Sequence, residues 1–96
     1  MSAITKAAQG EQCTVNIAMA CNYDPATVVL AHLRWLGGCG MGIKPSDLQG
    51  VFACNMCHDY IDGRRLGLSK TERDFYALRA VVRTHIRLAE KLGWKT

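Results

Sequence analysis

Cysteine is the residue that most restricts what this chain can become. Five of its 96 residues are Cys, and a domain this short buries too little surface to stand easily without a staple. An odd count leaves a disulfide framework with a remainder. The first eleven residues hold no apolar stretch of export-signal length, so the expectation is a cytoplasmic protein whose reduced thiols hold a metal. No run of about 18 uncharged apolar residues exists to span a membrane.

Position narrows the metal. Cys54-Asn-Met-Cys57 has the two-residue gap of a zinc knuckle, which lets two thiolates from one tight turn take adjacent corners of a tetrahedron about 2.3 Å from the ion. Cys13 and Cys21 flank a segment able to turn back on itself, and they complete a four-cysteine set of Cys13, Cys21, Cys54 and Cys57 for structural zinc. Cys39, in the loop 37–42 with four glycines, is a rival fourth ligand. The plain alternative for each pair is a small buried side chain with no metal.

His58 follows Cys57 directly. Cys54-Asn-Met-Cys57-His58 also matches the attachment sequence of c-type haem. That reading leaves Cys13, Cys21 and the basic C-terminal third without a role, and no haem is expected. If a helix runs from Cys57, His58 and Asp62 fall four residues apart on one face. An imidazole and a carboxylate there form half a shell for Mg²⁺, Mn²⁺ or Zn²⁺; the plain alternative for Asp62 is a solvated helix end. His32 ends the β-branched run 27–33. It is either a core histidine or, as a neutral imidazole near pH 7, a general base.

The rest of the chain reads as two short strands (27–33 and 51–54), a short helix (57–62) and a long one. Residues 1–12 show no period and read as a loose arm. Ser69 and Glu72 have capping-box spacing, which starts the long helix near Lys70, and Gly93 stops it. Phe75, Leu78, Val82, Ile86, Ala89 and Leu92 recur at three- and four-residue steps as an apolar stripe expected to face the core. Arg79, Arg83, Arg87 and Lys91 follow at four-residue steps on another face. Residues 1–63 hold three basic and five acidic side chains, whereas residues 64–96 hold nine and three. That asymmetry points to a polyanion, with Arg64, Arg65, Arg79, Arg83, Arg87 and Lys91 as contacts, or to a solvated face.

A histidine at a strand end, an irregular loop, a second strand and Cys-x-x-Cys-His entering a helix resemble the zinc-stapled HNH, or ββα-metal, endonucleases. Gly10-Glu-Gln-Cys13, Thr27-Val-Val-Leu-Ala-His32, Gly40-Met-Gly-Ile-Lys-Pro45 and Ala53-Cys-Asn-Met-Cys-His-Asp59 with Ile61-Asp-Gly-Arg64 are similar to the YbcO family of small lambdoid-prophage proteins, described as nucleases on fold and motif. The resemblance implies His32 as general base, His58 as ligand of a catalytic divalent metal, and Cys54 and Cys57 as the knuckle behind the site. Two positions depart from the motif. Ala31 stands where an acidic residue often precedes the histidine, and the middle asparagine has no clear counterpart, with only Asp47 and Gln49 at comparable distance.

These readings converge on an α+β chain with one HNH-like domain over 1–96. It would comprise the arm 1–12, a zinc-stapled ββα-metal (His-Me finger-like) core over 13–63 and a basic amphipathic helix over 69–93. The expected function is endonucleolytic hydrolysis of DNA phosphodiester bonds, with structural Zn and catalytic Mg or Mn. The alternative is a non-catalytic zinc-stapled DNA-binding or phage accessory protein. Homo-oligomers and phage recombination or replication proteins are further candidate partners.

Overall fold

The computed structural model describes residues 3–33, 47–65 and 67–94. Cys39 and the glycine loop lie outside them. Five elements follow in order: helix α1 (Ala3–Ala8), strand β1 (Val29–His32), strand β2 (Gly50–Ala53), helix α2 (Asn55–Ile61) and helix α3 (Lys70–Leu92). Short 3₁₀ turns at Pro25–Thr27 and Asp47–Gln49 lead into the two strands. The strands pair antiparallel, Val29 opposite Ala53 and His32 opposite Gly50. β1 is shorter than the apolar run 27–33 that suggested it, and β2 keeps the expected four-residue length but begins one residue earlier. Among the described residues no helix is long and apolar enough to cross a membrane.

A two-stranded sheet leaves an outer edge of unpaired backbone groups. Here two threonines cover it. The Thr14 amide and hydroxyl both donate to the Phe52 carbonyl, at 2.8 and 2.9 Å, and the Thr84 hydroxyl accepts from the Phe52 amide at 3.2 Å. The two hydroxyls lie 2.8 Å apart. Phe52 and Thr84 are fully buried, so water cannot substitute for these bonds.

Thr84 arrives on the face of α3 that packs on β2, with Ala77, Ala80 and Leu88. This corrects the expected stripe. Phe75, Leu78, Val82 and Ile86 are each more than half exposed and lie on the opposite side of the helix. The reason is steric, because three small side chains let the helix axis approach the sheet more closely than bulky ones would. The helix ends were legible: Ser69 and Glu72 close a capping box, and Gly93 adopts a left-handed φ of 71°.

The expected loose arm is also corrected. Residues 3–8 are helical, Ala7 and Ala8 are buried, and α1 packs against β1 and α3. Glu11 anchors the turn that follows. Both of its carboxylate oxygens accept from Arg87, at 3.0 Å each, and Oε2 also accepts from Lys91 at 3.1 Å. Lys91 donates to the Ala7 carbonyl at 2.9 Å as well. No local period reveals such a helix, because its partners lie some 80 residues away.

Two outcomes follow. Thr84→Val leaves the Phe52 amide buried without a partner and lowers stability by about 1–3 kcal/mol in denaturant unfolding. Glu11→Gln costs about 1–2 kcal/mol. The Arg87 hydrogen bond holds the Glu11 carboxyl below its ordinary value of 4.5. Its stabilisation is therefore complete above that pH and disappears as pH falls through the lowered folded-state value. The wild-type advantage over Glu11→Gln shrinks correspondingly in acid.

Candidate functional site

The four cysteines meet behind the sheet. Cys13 and Cys21 come from the loop before β1, Cys54 from the end of β2 and Cys57 from the first turn of α2. Their sulfurs all lie within 4.8 Å of one another. The Cys54 and Cys21 Sγ atoms are 3.8 Å apart. A tetrahedron with metal–sulfur bonds of about 2.3 Å has edges of about 3.8 Å, so this pair already has the spacing of two corners. The segment between Cys13 and Cys21 is a compact turn, in which the amides of Ala20 and Cys21 donate to the Ile17 carbonyl. The Asn16 amide donates to Cys13 Sγ at 3.4 Å, the Ile17 amide to Cys57 Sγ at 3.5 Å and the Cys57 amide to Cys54 Sγ at 3.4 Å. Such bonds orient thiolate ligands. Asn16 reaches its sulfur from a left-handed φ of 45°, a conformation asparagine tolerates better than most residues.

Crowding of the sulfurs divides their acidities. A hydrogen bond from Cys57 draws the Cys13 thiol down to about 5, whereas burial pushes Cys21 up to about 11. Cys57, sharing its proton with Cys13, is pushed up further. A cluster in which Cys13 ionises readily while Cys21 and Cys57 resist doing so is suited to a cation that offsets the added negative charge. The set could hold a metal ion such as zinc.

On the other side of α2 the chain opens a cleft of about 530 Å³ lined by Leu30, Ala31, His32, His58, Asp62, Arg64 and Arg73. Cys54 caps α2 and Cys57 points to the sulfur cluster, so the next residue, His58, is turned away from the cluster into this cleft. His58 Nε2 lies 3.0 Å from Asp62 Oδ2 across one helical turn. Two adjacent ligands of an octahedral ion, each about 2.1 Å from it, stand about 3.0 Å apart. The same separation is that of an imidazole–carboxylate ion pair, which the two side chains form here across one helical turn.

His32 enters from the end of β1. Its Nε2 lies 2.9 Å from Asp47 Oδ1, with both side chains about a quarter exposed. A carboxylate accepting from Nε2–H leaves Nδ1 as the basic nitrogen. Asp47 opens the 3₁₀ turn Asp47–Gln49, which leads into β2 at Gly50. A Cβ there would sit 3.1 Å from the Asp47 carbonyl and 2.7 Å from the Leu30 side chain. Gln49, the other candidate for the missing asparagine, donates instead to the Leu33 carbonyl. The histidine-orienting residue is therefore Asp47, fifteen positions after His32.

The predicted basic face comes apart. Arg79 donates to the carbonyls of Val15 and Asn16, at 2.9 and 3.1 Å, and stacks on Phe75 and Tyr76. Arg87 and Lys91 are engaged by Glu11. Arg83 lines a separate depression with Gly10, Gln12, Cys13 and Arg87. Arg64 and Arg65 make only long contacts, 3.6–3.7 Å, with Asp59 and Asp62. Arg73, in the first turn of α3, escaped the sequence reading because it belongs to no motif or charge run.

For the sulfur cluster the expected outcome is about one zinc per chain by elemental analysis. Cys57→Ser should lose that zinc together with cooperative unfolding, and chelation of the wild type should unfold it. Full zinc retention in Cys57→Ser would contradict the ligand set.

Three comparisons place the chain among known proteins. The family model described as "Putative nuclease YbcO" matches residues 2–93. "Putative nuclease YbcO" of Escherichia coli (strain K12) is 43% identical over 86 residues, covering 90% of each chain. "Putative nuclease ybcO" of Enterobacteria phage 82 matches to the same extent. A solved structure, "Structure of a putative bacteriophage protein from Escherichia coli str. K-12 substr. MG1655", superposes with a TM-score of 0.75 at 36% identity, over 90% of this chain and 95% of that one. A match along nearly the whole length, with the sulfur cluster and the histidine cleft inside it, assigns the chain to the YbcO family.

Proposed function

We propose that this protein is a metal-dependent endonuclease that hydrolyses DNA phosphodiester bonds in the cleft between β1 and α2. The observation that carries the reading is the convergence of His32, His58 and Asp62 on that one cleft, with the cysteine cluster behind it. The nuclease descriptions of the relatives support the same reading. The finer assignment to the HNH, or ββα-metal, type rests on the order of strand, strand and helix and on where His32 and His58 fall in it.

His58 and Asp62 would hold Mg²⁺ or Mn²⁺, and the four cysteines zinc. When bound, the catalytic cation supplies positive charge against the scissile phosphate and the leaving oxygen. The chain's own part is positioning and proton transfer. Asp47 fixes the His32 ring by its bond to Nε2 and sets the tautomer. Nδ1 then accepts a proton from a water, whose oxygen attacks phosphorus as the ester P–O bond breaks. With Ala31 before His32 adding no carboxylate, His58 and Asp62 would be the side chains that hold the cation.

The alternative, a non-catalytic zinc-stapled DNA-binding or phage accessory protein, draws on the exposed apolar stripe of α3. His32 separates the two. Plasmid cleavage with Mg²⁺ or Mn²⁺ should fall by a factor of about 10²–10⁴ in His32→Ala, with zinc content and DNA binding retained. Asp47→Asn should lower the rate less and alter its pH profile. Equal cleavage by the wild type and His32→Ala would exclude the nuclease assignment.

A further inference from the structure

Two of the chain's three histidines line the cleft, and the third stands on α3. That third one, His85, brings its Nε2 to 2.8 Å from the Leu48 carbonyl. We infer that His85 is a positioning residue for the general base. It steadies the turn Asp47–Gln49, and through that turn the carboxylate that orients His32. The inference rests on the nuclease reading for the reaction in which the base takes part.

The chain of contacts starts at His32. Which water its Nδ1 can reach depends on how the ring is turned, and Asp47 Oδ1 turns it, 2.9 Å from Nε2. Asp47 belongs in turn to a 3₁₀ segment of three residues. Hydrogen bonds inside such a segment have poor geometry, so its place is set by what it is tied to. The Leu48 side chain is about half exposed, and burial alone therefore does not pin the turn.

The ties run in two directions. Towards β1, Asp47 meets His32, the Gln49 side chain donates to the Leu33 carbonyl, and the Gln49 carbonyl accepts from the Leu33 amide at 3.1 Å. Towards α3, the Leu48 carbonyl meets His85. A carbonyl oxygen only accepts, so Nε2 carries the proton and His85 is the donor. The neighbouring Thr84 hydroxyl accepts from the Phe52 amide. Consecutive residues of α3 thus hold the chain on both sides of Gly50, His85 just before β2 and Thr84 within it. A helix capped at both ends and packed on β2 is a stiff support for such a hold. Misplacing a reacting group by about 1 Å can cost about 10²-fold in rate, so a bond remote from the substrate can still be read in kcat.

The test follows plasmid cleavage with Mg²⁺ and backbone amide exchange side by side. His85→Phe keeps a ring and removes the donor. It should lower kcat about tenfold and leave KM within about twofold, because no contact with DNA is lost. His85→Gln, whose amide nitrogen can take the place of Nε2, should restore the rate. In an Asp47→Ala background His85→Phe should cost little more, since both act through one bond to His32. The Leu33 amide should exchange at least about tenfold faster in His85→Phe, while the Asp62 amide, bonded to His58 within α2, should be unchanged. An unaltered kcat in His85→Phe, a loss that His85→Gln does not restore, a full further loss on top of Asp47→Ala or unaltered Leu33 exchange would each overturn the assignment. The nuclease reading fails separately, through undiminished cleavage by His32→Ala. Leu33 exchange then still decides whether His85 holds the turn.

Discussion

The convergence of four sulfurs is the constraint on which the remaining structure depends. It joins a loop before the sheet to the junction after it, and each side then delivers groups that the core requires. From the loop come Thr14 to cover the Phe52 edge, Val15 and Ile17 to the core, and two carbonyls to receive Arg79. From the junction comes α2, whose start is capped by Cys54 and whose next turn aims His58 away from the sulfurs. A domain with two four-residue strands lacks the buried area to hold these pieces by packing alone. A bound cation would supply that cohesion.

Among the described residues, two groups stand out in the positive charge of the C-terminal third. One is spent inside the molecule, holding α1 and the cysteine loop against α3. The other borders the cleft. Net charge describes attraction at a distance, but a contact also depends on what each cation must release in order to make it. Arg87 would have to abandon a nearly buried carboxylate in order to meet a new anion.

Features whose cause is local were legible in the sequence: the Cys-x-x-Cys turn, the Ser69 capping box, the Gly93 stop and the strand carrying His32. The set of four cysteines was legible too, because metal chemistry limits the residue types that can serve. What escaped was set by distant partners. α1 is held by residues 87 and 91, which no short window contains. The stripe of α3 misled because size and hydrophobicity rank Phe75 and Val82 above Ala80 and Thr84, whereas close approach to β2 selects small side chains and a hydroxyl. Asp47 was one of two named possibilities, and only the turn at Gly50 decides between it and Gln49. Arg73 carries no motif, and its place follows from the meeting of two helices.

The pairing of Glu11 with Arg87 and Lys91 also bears on when this chain can fold. A ribosome makes Glu11 and the first two cysteines early, long before the residues that complete them. Cys13 and Cys21 wait for Cys54 and Cys57, and Glu11 waits for the end of α3. The early segment therefore has its partners only once Cys57, and then Arg87 and Lys91, have been made. The last turns of α3 thus act as a clasp on the first helix, one that cannot fasten before residues 87 and 91 have been made.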